Sequence, residues 1–272
     1  MLRETVREDS VVDVLSAGLV GADEDHIVVN PSQATIAALV EVLQTAESPP
    51  QVRLFAAEPS LKELMNDFLV ASAVADLMDG GTMAVRTLDT VPNNALLVSR
   101  ESVVSLVEAG DRAAGLTTTA DEFVAATYDH YDERWEGAEP FSLRTPPRSE
   151  VMATLEADIG PEVASDFSAI LDSLDSARGD GQGLDEVTIS LLVAARNGEL
   201  LYDISKWGED VGLASKATFS RTKTRLEDNG LIDTEKVPID VGRPRLRLMP
   251  GDERLAEADI EDVASVAIEM LA

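Results

Sequence analysis

Between Leu184 and Pro250 the chain runs through three helical patterns and two strand patterns, with connections too short to permit many arrangements. Residues 184–196 carry Val187, Ile189, Leu191, Leu192 and Ala195, dense enough for a mostly buried helix, and Asn197-Gly198 ends it. The apolar run 200–202 reads as a short strand. Asp203 is placed to cap a short helix over 204–211, with Ile204, Trp207 and Val211 on one side. Gly212-Leu213-Ala214 then turns the chain into a helix over 214–226. Ser215 is its expected cap, Phe219 and Leu226 share a face, and Asn229-Gly230 is the stop signal. Residues 231–237 and 243–249 alternate as two strands around the turn-rich stretch 238–242. Arg243, Arg245 and Arg247 fall on one face of the second strand, Leu246 and Leu248 on the other. This order predicts a helix-turn-helix followed by a hairpin wing.

The charge of the third helix sets it apart. Residues 214–226 hold four Lys/Arg and no acid, in a chain with 51 acids, 22 bases and a formal net charge of −29. A helix with one apolar stripe and one face of small hydroxyls and cations suits a DNA groove. The bland alternative is a solvated basic face. On the DNA reading Ser215, Lys216, Thr218, Ser220, Arg221 and Lys223 meet the groove, and Arg225 meets a phosphate. Arg243, Arg245 and Arg247 then hold the backbone through the wing.

Thr218-Phe219-Ser220-Arg221, with Arg225-Leu226-Glu227-Asp228-Asn229-Gly230-Leu231-Ile232, resembles the recognition helix and exit of winged-helix transcription regulators. The resemblance covers about 184–250. One position departs from it: an aliphatic residue is usual four places after the Phe219 site, and here stands Lys223. Either Lys223 snorkels past the core or the helix is slightly rotated.

The N-terminal half reads differently. After a helix over 11–19, the β-branched run 27–29 ends at Asn30-Pro31-Ser32, and 34–44 follows as a helix buried through Ile36, Leu39, Val40 and Leu43. Strand 52–57 ends at Glu58-Pro59-Ser60, and Ser60 with Glu63 suggests a capping box for a helix over 61–78. Two such units predict an α/β layer with a parallel pair. Residues 83–88, 95–99, 103–108 and 114–118 then read as antiparallel strands, and Thr119 with Glu122 as a capping box for a helix over 120–135. The order resembles phospholipase-D-like effector domains of archaeal regulators, without the H-x-K motif those nucleases need: His26 is followed by Ile27-Val28. A small ligand would lie beyond the strand C-termini, at Asn30, Ser32, Glu58 and Ser60, though the two serines equally cap helices. Tyr128, Tyr131 and Trp135 share one side of the closing helix, as core, dimer surface or sugar platform.

The Pro/Gly-rich stretch 137–149 divides an α/β effector-like regulatory domain (1–145) from a winged-helix DNA-binding domain with flanking helices (146–272). The expected class is thus mixed α/β: a mixed-sheet domain followed by a winged helix-turn-helix. Residues 150–159, 161–174 and 260–271 read as amphipathic helices, and 178–183 as a flexible loop. The spare helices suit either a homodimer or the domain's own core.

Composition excludes much. With no cysteine there is no disulfide, thiolate metal site or thiol nucleophile. No apolar run is long enough to span a bilayer, and the N-terminus does not read as a signal peptide, so a soluble cytoplasmic protein is expected. Only five of the bases are lysine and aromatics are 4%, a balance like that of salt-in halophiles. Eleven of the 22 bases fall in residues 181–272, so DNA contact should be confined to helix and wing. No phosphate loop, nucleophile elbow or metal-ligand cluster is present, and neither catalysis nor a cofactor is expected.

Taken whole, the chain resembles the TbsP group of haloarchaeal transcription regulators, named for suppressing loss of the sugar-responsive regulator TrmB. That resemblance implies binding to promoter DNA in control of central carbon metabolism. A winged-helix adaptor that modulates another regulator without touching DNA is the alternative, and an acidic surface would suit it.

Overall fold

The structure is a computed structural model that describes residues 5–19, 25–90, 92–110, 112–174, 176–178, 184–238 and 244–271, with the backbone alone for 5–9. The chain divides into two units: residues 1–65 with 73–143, and residues 66–72 with 144–272.

The first unit is built on a seven-stranded mixed sheet. Its strands are β1 (Thr5–Asp9), β2 (Asp25–Val29), β3 (Gln51–Ala56), β4 (Met83–Thr87), β5 (Ala95–Val98), β6 (Val103–Ala109) and β7 (Arg112–Thr118), in the order β1-β7-β6-β5-β2-β3-β4. Strands β2, β3 and β4 run parallel, while β5, β6, β7 and β1 pair antiparallel. Helices α1 (Val11–Gly18) and α2 (Gln33–Thr45) pack on each other; Ser10 and Ser32 cap them. Helix α5 (Asp121–Glu136) closes Val124, Tyr128, Tyr131 and Trp135 onto Ile27, Val29, Phe55 and Val98. These three aromatic side chains are core.

Several local expectations are corrected here. Residues 83–88 were expected to be antiparallel, but β4 adds parallel to β3, because the helices between them make a crossover long enough for it. Strand β1 has no expected counterpart; it pairs with β7 at the far edge of the sheet. The helix expected over 61–78 is two helices, α3 (Glu58–Leu64) and α4 (Phe68–Asp79). Ser60 lies inside α3, with Pro59 in its first turn, and caps nothing. The chain breaks between them where Asp67 accepts the Ala177 N–H at 3.1 Å and pairs with Arg178 at 3.2 Å. Helix α5 begins after Ala120 without a side-chain cap, so the box of Thr119 and Glu122 does not form.

The second unit holds α6 (Arg148–Asp158), α7 (Pro161–Asp172), α8 (Glu186–Arg196), α9 (Leu201–Asp210), α10 (Lys216–Asp228), the hairpin β8 (Ile232–Val237) with β9 (Arg245–Pro250), α11 (Glu253–Glu257) and α12 (Val263–Leu271). Asp185 caps α8 through the Thr188 N–H. One core joins Phe167, Ile170, Ile189, Leu191, Ile204, Trp207, Phe219, Leu226 and Leu248, and Phe68 is part of it. The strand expected over 200–202 is a single bridge from Leu200 to Arg247, and Leu201 already begins α9. Asp203 sits inside that helix rather than capping it. The helix expected over 260–271 starts as a 3-10 turn at Ile260–Asp262 before α12, and α11 precedes it. Residues 179–183 and the wing tip 239–243 lie outside the described residues, and Arg243 with them.

Candidate nucleic-acid interface

The placing of α10 begins with a glycine. A Cβ on Gly208 of α9 would stand 2.4 Å from the Phe219 ring, so only glycine lets α10 cross this close. The Gly208 carbonyl accepts the Leu213 and Ala214 N–H groups at 2.8 and 3.1 Å. Gly212 turns the chain with a φ of 82°. Ser215 then caps α10, its Oγ accepting the Thr218 N–H at 3.2 Å. Phe219 and Leu226 are fully buried. What remains outside over residues 215–225 carries no acid: Ser215, Lys216, Ala217, Ser220, Arg221, Thr224 and Arg225 are exposed, and the first exposed acid of the helix is Asp228 in its last turn.

Beside this face lies an open cleft of about 490 Å³, lined by Leu201, Tyr202 and Ser205 of α9, Lys216 and Ser220 of α10, and Pro244, Arg245 and Leu246 of the wing. Arg245 crosses it, its guanidinium carbon 4.4 Å from the Tyr202 ring centre and its Nη1 3.2 Å from Asp203. The cleft thus joins the first turn of α10 to the wing, with cations on both walls.

The expected site residues divide by what they touch. Ser220 and Arg221 are exposed, and Arg221 makes a long 3.4 Å hydrogen bond to Thr218. Lys216 is exposed but ion-paired with Glu209 at 2.6 Å. Ser215 and Thr218 are turned to each other, their hydroxyls 3.0 Å apart. Arg247 faces Glu235 across the hairpin at 3.8 Å. One residue, Lys223, points into the protein instead, and a second, Arg225, is exposed but tied to a neighbouring helix. Lys223 is only 13% exposed and puts its ammonium 2.6 Å from Glu227, whose other oxygen accepts the Thr234 hydroxyl at 2.9 Å. Its stem takes the place of the usual aliphatic, which is the snorkelling alternative. Arg225 donates to the Thr188 hydroxyl of α8 at 2.8 Å. Ala217 and Thr224 join the exposed face although neither was expected there; the 3.6-residue period from Ser220 and Arg221 points to both. Tyr202 was read as a strand residue, and nothing local to it marks the ring that holds Arg245.

Three of the four residues expected to hold a small ligand in the first unit have protein partners. Asn30, with a φ of 48°, donates from Nδ2 to the Pro92 carbonyl at 2.8 Å. Ser32 caps α2 and also donates to Glu108 at 2.9 Å. That carboxylate also accepts the Thr35 hydroxyl at 2.5 Å. Glu58 pairs with Lys62 at 2.7 Å. An open pocket of about 480 Å³ lies instead around Asp25, Arg53, Arg100, Tyr128 and Asp132, toward the starts of β2 and β3. There Arg53 reaches Asp25 through Nε at 3.0 Å, Asp132 through Nη1 at 2.6 Å and the Tyr128 hydroxyl through Nη2 at 2.9 Å. All three guanidinium nitrogens are engaged, as in a structural network. Among the described residues no group of three or more His, Asp or Glu is placed to hold a metal ion, and no helix is long and apolar enough to cross a membrane.

Among solved structures, the chain is similar to the archaeal chromatin protein TrmBL2, described with a novel mode of DNA binding. The identity is 15% and the TM-score 0.35, over 50% of this chain and 54% of that one, so this chain spans about half of TrmBL2. It is also similar to Nuc, a phospholipase D family member from Salmonella typhimurium, with 13% identity and a TM-score of 0.34 over 51% of this chain and 99% of that one. No curated protein matches the chain. Two family models match it. Residues 3–146 match the N-terminal domain of transcriptional regulator TbsP-like proteins, and residues 147–268 match their C-terminal HTH domain. With a winged helix-turn-helix in its second unit and both halves matched, the chain belongs to the TbsP-like family of DNA-binding transcription regulators.

Proposed function

We propose that this regulator binds specific promoter sequences as a homodimer and controls central carbon or sugar metabolism in the cytoplasm of a halophilic archaeon. The observation that carries the DNA contact is the exposed face of α10, free of acids from Lys216 to Arg225 and continuous with the cationic cleft under the wing. Ser220 and Arg221 read base edges from that face, with Thr224 beside them. Lys216, Arg245 and Arg247 hold phosphates. Lys223 supports the helix from behind, while Arg225, exposed and hydrogen-bonded to Thr188, stands within reach of the DNA backbone. The excess of acids and scarcity of lysine support a molar-salt cytoplasm. At such salt, counterion release contributes little, and base contacts with two half-sites about 34 Å apart carry more of the affinity. The metabolic role is supported by the family's namesake, a suppressor of loss of a sugar-responsive regulator.

Selection of duplexes from a randomised pool in molar KCl tests the reading. Enrichment of a two-fold-symmetric sequence is the expected result, and Arg221→Ala should weaken its binding by about 1–3 kcal/mol. Enrichment that does not depend on Arg221 removes it from the base contacts. Genome occupancy before and after a change of carbon source tests the metabolic part; sites away from carbon-metabolism promoters would refute it. The adaptor reading has one observation in its favour, the internal ion pairs of Lys216, Arg245 and Arg247. It predicts no enriched duplex and co-purification with another regulator.

A further inference from the structure

Glu209 of α9 sits against the first turn of α10. Its Oε2 accepts from Lys216 Nζ at 2.6 Å and its Oε1 from the Lys216 backbone N–H at 3.3 Å. A duplex phosphate docked at a helix N-terminus uses the same two kinds of donor, a free backbone N–H and a lysine ammonium. The side chains of both partners are 44% exposed, so the pair stands in water and separates at little cost. The far wall of the cleft repeats the pattern. Asp203 holds Arg245 at 3.2 Å, with both side chains 38% exposed. The Lys223–Glu227 pair is unlike these two: it is largely buried and faces away from the cleft.

Resting on the DNA-binding reading, we propose that Glu209, together with Asp203, is an internal stand-in for the DNA backbone. The two carboxylates orient Lys216 and Arg245 in the free protein and compete with duplex phosphates for them. Binding is then an exchange. Lys216 leaves Glu209 for a phosphate, and the freed carboxylate, close to that phosphate, draws a cation from solution. One counterion leaves the DNA and one returns to the protein, so the affinity falls less with salt than the number of cationic contacts implies. At low salt the same competition suppresses indiscriminate binding. Glu209 is held below the ordinary carboxylate range by the Lys216 side chain and then by its backbone N–H, which keeps the competitor charged.

The test measures fluorescence anisotropy of the full chain on the duplex enriched in the selection above, from 0.2 to 3 M KCl. Wild type is compared with Glu209→Gln, Asp203→Asn, and the charge-matched control Asp262→Asn in the 3-10 turn before α12. Glu209→Gln should bind about tenfold tighter at 0.2 M KCl, and its slope of log K against log salt should steepen by about one. Asp203→Asn should move in the same direction, and Asp262→Asn should follow wild type. A merely structural Glu209 predicts weaker binding at every salt with an unchanged slope, and that result overturns the proposal. So does an Asp262→Asn response equal to that of Glu209→Gln, which would assign the effect to net charge. No enriched duplex at any salt overturns the DNA reading itself, and this proposal falls with it.

Discussion

At the scale of single residues the most exposed contradiction to solvation rules is Glu186, at the start of α8. Burial pushes its carboxyl up to about 7, and neighbouring Asp185 adds to the rise. A carboxylate that binds its proton more tightly when folded stabilises the fold only while that proton stays on. Its contribution is therefore greatest at low pH and is lost as the pH rises from the ordinary value of 4.5 through about 7. Glu186→Gln should raise unfolding stability by about 1–3 kcal/mol at pH 8 and leave it nearly unchanged at pH 4. Urea titrations at the two pH values check this, and equal shifts at both would discard the burial account. Single residues were legible where their partners are close in sequence. Ser215 caps the Thr218 N–H three residues on. Phe219 and Leu226 come from one helical stripe. Glu209 was not legible, because one acid among 51 carries no mark; its partner lies seven residues away across a turn.

At the scale of elements, Gly208 decides how α9 meets α10. Helix propensity alone favours alanine there by about 1 kcal/mol. The Phe219 ring, 2.4 Å from the missing Cβ, opposes it. Forcing that contact costs about 1–3 kcal/mol, so Gly208→Ala should lower the stability of the helix-turn-helix and weaken DNA binding with it. A melting temperature that rises would show that α9 and α10 have room to spare. Most helices and strands of the second unit follow from periodicity and stop signals, because those signals act within four residues. The direction of β4 did not, since the alternation of Met83–Thr87 reads the same in a parallel and an antiparallel pair. Nor did the break between α3 and α4, where Asp67 is engaged by Ala177 and Arg178, 110 and 111 residues away in sequence.

At the scale of the whole molecule, residues 66–72 group with the second unit although they lie deep within the first in sequence. Phe68 is 3% exposed in that unit's core, its ring 6.5 Å from Phe167 and edge-on to it. Phe68→Ala should destabilise the unit containing Trp207 by about 3–5 kcal/mol, read by Trp207 fluorescence in a chain carrying Trp135→Phe. Unchanged unfolding of that unit would mean the segment only rests on its surface. The net charge of −29, the cysteine-free composition, the order of the helix-turn-helix, the hairpin and the basic third helix were settled by sequence alone, since each depends on residue identity or near neighbours. Tertiary structure decided which partner each cation has within the protein. Pairs such as Lys216 with Glu209, Arg225 with Thr188 and Arg245 with Asp203 form between different elements, and no local period records which elements will touch.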